Sequence, residues 1–272
     1  MPLTHTLTKG VRLASEKSAP FRGTSVAPTR LRELALDLGI DRVEVLHMAS
    51  DAMLVPRPDR GYTVFLNSSQ GRARHRFSLA HEISHVILEP LVQDVIRRRS
   101  PFCGDQDPEA QRLERICNVM AAEILMPAET FRDVAQQRGW QLNTALYLSS
   151  KLDVSVEATM RRLVDLAPEA CAVLAWKGSE PDWLEWKWWH GNSSLKARWI
   201  GFAKGTSLSH YPSLKRAHES TEQIAGVEDI VIQQNSPKNS RSFIRKTTAC
   251  ESRAVGSGQF KRGYTLVFPE RA

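Results

Sequence analysis

An uninterrupted apolar run long enough to cross a membrane, about 20 residues, is missing from this chain. So is an apolar core of signal-peptide length, roughly 7–15 residues, in the opening stretch MPLTHTLTKGVRLASEKSAP. The expectation is a cytoplasmic protein with no membrane attachment. Cysteine is scarce: Cys103, Cys117, Cys171 and Cys250 are scattered and form no C-x-x-C pair, which argues against a disulfide framework and a cysteine zinc site. No repeat of fixed period is visible, so a solenoid is not expected. Nor is there the charge excess of a disordered chain, because 42% hydrophobic and 25% charged residues are ordinary globular values.

What is present is uneven. Residues 1–169 hold 22 Lys+Arg against 21 Asp+Glu, and residues 170–272 hold 15 against 9, so most of the net +7 belongs to the C-terminal part. A basic surface can meet nucleic acid, but a solvated face is the favoured reading. Length permits one large domain or two ordinary ones.

Three segments emerge from the pattern. Residues 1–28 are polar, contain Pro20 and Pro28 and lack sustained periodicity, which reads as a loosely attached polar leader. From Thr29 the spacing of Leu31, Leu34, Ala35 and Leu38 predicts a helix that Gly39 ends. Strands are expected at Ala52–Val55 and Tyr62–Leu66, around a turn with two prolines and a glycine. Helices follow over Ser78–Glu89, ended by Pro90, and from an N-cap at Asp107 through Pro108 to Met126. Shorter ones are expected at Ala128–Gln137, Leu142–Lys151 and Val156–Leu166. Beyond Pro168 the β-prone runs CAVLAW, WLEWKWW, RWIGFA, DIVIQ, RSFIRK and GYTLVF alternate with Gly, Ser, Pro and Asn, and six of the seven tryptophans lie there. The expected organisation is a leader at 1–28, an α+β domain at 29–168 and a mainly β accessory domain at 169–272.

Chemistry concentrates at His81-Glu82-Ile83-Ser84-His85. On a helix, residues i and i+4 share a face, so both imidazoles can bind one cation. Zinc suits the pair, since its catalytic sites use three protein ligands and keep one position open. Glu82 is offset by about 100° around the helix axis, close enough to take a proton from a water that the metal acidifies. A third ligand is needed, and Glu114 on the following helix is the best placed, with Glu109 and Glu123 as competitors. Asn118, one turn after Glu114, is placed to hydrogen-bond a ligand histidine from behind. His2Glu ligation accepts several divalent ions, manganese among them.

Taken together, RHRFSLAHEISHVIL (74–88) and ERICNVMAAEILMP (114–127) resemble the paired helices of the ImmA/IrrE family of zinc metallopeptidases. The likeness covers about residues 29–168, with Ser155–Leu166 similar to the closing helix of that domain. The resemblance implies His81, His85 and Glu114 as metal ligands and Glu82 as catalytic base. It implies a zincin-like domain whose small sheet packs on the active-site helix, and an endopeptidase that cuts a helix-turn-helix transcriptional repressor in a stress or mobile-element switch. Met120 stands where the family more often has an aromatic residue.

Other readings compete. Leu142–Leu166 has the outline of a DNA-binding helix-turn-helix, with Arg161 and Arg162 in its second helix. The tryptophans at 183–189 could stack on bases, although packing within a β-domain is favoured. Arg97–Arg99 reads as a solvated run. His47, His75, His190, His210 and His218 lack ligand spacing, and nothing selects a residue such as Tyr147 to polarise a carbonyl. A DNA-binding regulator using the peptidase scaffold as a sensor, or a toxin–antitoxin component acting by binding alone, are the rival functions.

Overall fold

Thr6, Gly10, Ala14 and Ser18 recur at every fourth position, and all four are buried. In the computed structural model they form the inner stripe of a helix, α1 (Leu3–Ser18), which lies against α3 (Arg72–Arg97) and α4 (Pro108–Leu125). A Cβ on Gly10 would stand 2.9 Å from the sulfur of Met120, so helix and neighbour approach as closely as glycine allows. This corrects the expected polar leader. Its buried face is small rather than bulky, and hydrophobic periodicity does not register such a stripe. The structure describes residues 3–23, 26–58, 61–97, 107–179, 183–195, 197–202, 207–220, 222–234, 243–255 and 261–269. Cys103, Arg98 and Arg99 lie outside them.

The chain divides into two compact units, residues 1–130 with 148–155, and residues 131–147 with 156–272. In the first, α2 (Leu31–Asp37) buries Leu31, Leu34 and Ala35, and Gly39 follows at φ +82°, the left-handed region that favours glycine. A three-stranded sheet follows, ordered β1 (Ile40–Leu46), β3 (Tyr62–Asn67), β2 (Ala52–Pro56). β1 runs parallel to β3 and β2 antiparallel to it, with Val64 opposite Val43 and Leu54. Sequence reading missed β1, whose alternation is blurred by Asp41, Arg42 and Glu44 on an exposed edge.

Against this sheet packs α3, longer than expected at both ends. It passes through Pro90, although an interior proline removes one internal hydrogen bond and crowds the carbonyl four residues back; the expected stop at that residue is corrected. Its buried residues Leu79, Ala80, Ile83, Ile87 and Leu88 face the core. α4 begins as expected: the Asp107 side chain accepts from the Glu109 amide at 2.9 Å, and Pro108 takes the first helical position. Ala121 is fully buried. Asp153, in the left-handed region at φ 54°, returns its carboxylate to Arg72 at 2.8 Å and Arg76 at 3.5 Å in the first turns of α3.

The second unit is built on a six-stranded antiparallel sheet ordered β5 (Trp183–Gly191), β4 (Ala172–Ser179), β9 (Arg262–Phe268), β8 (Phe243–Val255), β7 (Ile224–Gln234), β6 (Ala197–Phe202). All six β-prone runs became strands. Leu174, Ile200, Ile230 and Val267 form a core to which Trp186 and Trp189 add their rings. Trp176 is fully buried, its indole N–H donating to Thr265 at 2.9 Å. The short helix α8 (Pro212–Ser220), not foreseen, packs on β7 and β8.

The helices α5 (Ala128–Arg138), α6 (Leu142–Leu152) and α7 (Val156–Leu166) match their expected spans closely. The division of the chain nevertheless runs through them rather than at residue 169: residues 131–147 and all of α7 go with the second unit, and residues 148–155 with the first. Within the second unit α7 packs on β4 and β5, Arg253 bonds Asn143, and the Leu142 amide donates to Glu251 at 3.3 Å. The compositional shift at Pro168 therefore marks where the strands of the second unit begin, not where packing changes partner. Arg161 lies 4.1 Å over the Trp188 ring and pairs with Glu157 at 3.1 Å, while Arg162 is buried. Both arginines of the helix-turn-helix outline are thus engaged in this unit. Among the described residues no helix is long and apolar enough to cross a membrane.

Candidate metal centre

The buried face of α3 fixes what its other face presents. With Ile83 and Ile87 in the core, His81 and His85, one turn apart, emerge together toward α4. Their Nε2 atoms stand 3.1 Å apart. Glu114 of α4 reaches both: Oε2 lies 3.1 Å from His81 Nε2 and Oε1 3.5 Å from His85 Nε2. Among the described residues this is the group of His, Cys, Asp and Glu donors close enough to share a metal ion.

The donor set fits a divalent cation. Two ring nitrogens and a carboxylate held about 2.0–2.2 Å from a tetrahedral ion stand roughly 3.3–3.6 Å apart, and the observed separations of 3.1–3.5 Å lie at and just below that range. Electrostatics agree. Burial of His81 disfavours its charged form, yet its hydrogen bond to Glu114 and the charges of Glu82 and Glu114 outweigh that, lifting its pKa. Hydrogen bonds from His81 and His85 hold the Glu114 carboxyl far below the usual carboxylate range. The cluster stabilises positive charge, and a proton and a metal compete for it.

Both histidines are supported from behind by α4. His81 Nδ1 lies 3.0 Å from Asn118 Oδ1, where the sequence placed a supporting residue. His85 Nδ1 lies 3.5 Å from the sulfur of Cys117, which had read as core alone. Burial, then the charges of Glu114 and Glu82, push this thiol well above its ordinary pKa, so it stays protonated. Glu82 is only 8% exposed. Burial raises its carboxyl pKa, Glu114 adds to that, and the two histidines oppose it.

Glu82, both histidines and Glu114 line a cavity of about 350 Å³ with Met53, Phe77 and Arg74. The Arg74 guanidinium lies 5.4 Å from the Phe77 ring centroid and pairs with Asp51. Phe77 and Arg74 were findable, since they precede His81 by one and two turns on the same helical face; Asp51 and Met53 come from a loop and an edge strand and carry no local signal. The competitors for third ligand do other work. Glu123 is buried and accepts from the Ala128 amide at 3.2 Å, and Glu109 sits exposed in the first turn of α4. His75 bonds the Asn67 carbonyl at 2.7 Å, and His190 pairs with Asp165 at 2.7 Å. Tyr147 carries the Arg138 guanidinium over its ring at 4.1 Å.

Residues 37–164 match the family model Peptidase_M78, the IrrE N-terminal-like domain. The chain is similar to the radiation response metalloprotease IrrE of Deinococcus deserti, 30% identical over 168 residues, which is 56% of this chain and 58% of that one. It is also similar to radiation response metalloprotease IrrE of Deinococcus radiodurans, 31% identical over 108 residues, 39% of this chain and 31% of that one. The matched part thus spans less than two thirds of either relative. A solved Mycobacterium tuberculosis transcriptional regulator superposes with a TM-score of 0.53 at 12% identity, covering 98% of this chain and 76% of that one, a likeness of fold alone.

Proposed function

We infer, for a chain whose residues 37–164 belong to the ImmA/IrrE family of metallopeptidases, that it is a zinc-dependent endopeptidase acting on one protein partner in a stress response. The observation that carries this is the convergence of His81, His85 and Glu114 on one point, with the buried carboxylate of Glu82 in the same cavity.

His81 Nε2, His85 Nε2 and a Glu114 oxygen would hold the ion, with β1–β3 packed on α3 serving as a zincin-like core. A divalent ion held there would supply Lewis acidity, lowering the pKa of a bound water and polarising a peptide carbonyl. Glu82 takes the proton of the attacking water and passes it to the departing nitrogen. Its burial favours that cycle, because a carboxylate with a raised pKa holds the proton between the two transfers. Asn118 accepts from His81 Nδ1–H, so the ring keeps its Nε2 lone pair toward the shared point. Met53 and Phe77 give the cavity an apolar wall against which a substrate segment can exclude water.

The substrate we propose is a helix-turn-helix transcriptional repressor. The names of the relatives, which describe a radiation response, support such a switch. Full chain loaded with zinc and incubated with helix-turn-helix repressors encoded beside it is expected to yield discrete fragments by mass spectrometry. Cleavage that persists at full rate in a Glu82→Gln variant overturns the reading. A DNA-binding regulator is the second reading, favoured by the +6 charge of residues 170–272 and by the fold likeness to a transcriptional regulator. It requires salt-dependent DNA binding that survives chelation.

A further inference from the structure

We propose that Cys117 is a positioning residue of the metal centre: its sulfur accepts the Nδ1–H of His85 and sets the orientation of that ring. This rests on the metal-centre reading above and extends it to the second histidine.

The argument begins with the tautomer. A neutral imidazole that turns its Nε2 lone pair toward a shared cation carries its hydrogen on Nδ1. Each ligand histidine therefore has an N–H to place on the side away from the ion, and ligand histidines are ordinarily fixed by an acceptor there. For His81 that acceptor is Asn118 Oδ1 at 3.0 Å. For His85 the partner at Nδ1 is Cys117 Sγ at 3.5 Å, an ordinary approach for the larger sulfur atom. Cys117 is 0% exposed, so the contact is made inside the protein.

Both supports come from one turn of α4. Glu114, Cys117 and Asn118 stand at i, i+3 and i+4, the spacing that puts three side chains on one helical face. A single turn therefore supplies a ligand and the partner of each histidine. The supports are unequal, because a thiol sulfur is a weak acceptor and an amide oxygen a good one. His85 is on this account the more loosely held ligand, and its hold depends on the sulfur.

The test uses full-length protein with Zn²⁺ in a competition titration against a chelator, and with Co²⁺ for its visible absorption bands. Cys117→Ala removes the acceptor and is expected to weaken zinc binding by about tenfold, the low end of the range for such partners. Its cobalt bands should shift as the His85 ring reorients. Cys117→Ser restores an acceptor in nearly the same place and should return both readouts toward those of the parent chain. Circular dichroism of the metal-free proteins checks that both variants fold. Unchanged affinity and cobalt bands in Cys117→Ala overturn the proposal, leaving Cys117 a core residue. Equal losses in the Ala and Ser variants overturn it as well, since the ring would then need shape rather than an acceptor. A parent chain that takes up no Co²⁺ sinks the metal centre itself, a distinct outcome from metal uptake that is indifferent to Cys117.

Discussion

Glu82 and Glu114 line one cavity, yet their carboxyl groups are shifted in opposite directions. Glu114 is held far below the usual carboxylate range by two imidazoles, and Glu82 is raised by burial. On the proposed mechanism Glu114 binds the ion and Glu82 carries the proton. Changing each should separate the roles. Glu82→Gln is expected to keep one metal per chain by elemental analysis while turnover falls by roughly 10²–10⁴-fold, whereas His81→Ala should lose the metal with the fold retained. A Glu82→Gln protein that loses its metal would place that carboxylate among the ligands. The five-residue motif was legible because a helix's own geometry brings i and i+4 together. Glu114 and Asn118 were legible because α4 is a second regular helix with a clear buried stripe. Cys117 was not: a cysteine on such a stripe reads as a small hydrophobe, and only the approach of α3 reveals the nitrogen it faces.

At the scale of elements, α1 has the most to say about what a sequence conceals. Its inner stripe of Thr6, Gly10, Ala14 and Ser18 contributes little apolar area but allows close approach to α4. Substitution should follow size. Gly10→Ala gains helix propensity of about 1 kcal/mol and meets the flexible end of Met120, so its denaturation midpoint is expected to stay near that of the parent. Gly10→Leu forces α1 off α4 and should cost roughly 1–3 kcal/mol by urea titration. Equal stability of the Leu variant would mean that α1 does not pack where it lies. The pair α3 and α4 invites a second measurement. An ion shared by His81, His85 and Glu114 ties the two helices together, so a ligand at 100 times its Kd adds about 2.7 kcal/mol to the native state. Calorimetry is expected to place the melting of metal-loaded protein well above that of protein treated with chelator.

The whole molecule divides where packing, not composition, changes. The β-prone runs after Pro168 were legible because alternation and turn residues are local, and all six became strands. Their strand order was not, since β4 pairs with β9 nearly a hundred residues away in the chain, and no local pattern records such a partner. Each unit also contains a group whose proton the fold retains. In the first, the Tyr62 hydroxyl donates to Glu89 at 2.5 Å; that bond, with burial and the neighbouring charge, lifts its pKa from 10.0 to about 12. In the second, burial foremost lifts the Cys250 thiol from 9.0 to about 12. A raised folded-state pKa means that the unfolded chain releases its proton first. The stability these groups contribute is therefore complete below pH 9 and erodes as pH climbs through the interval to about 12. Thermal melts followed by circular dichroism should thus fall from about pH 9 upward. Tyr62→Phe isolates one share of that slope: it should melt lower than the parent at neutral pH, with the gap closing as pH approaches 12. A gap that stays constant across that interval would mean that the Tyr62 proton is not what the fold holds, and that its pairing with Glu89 is absent in solution.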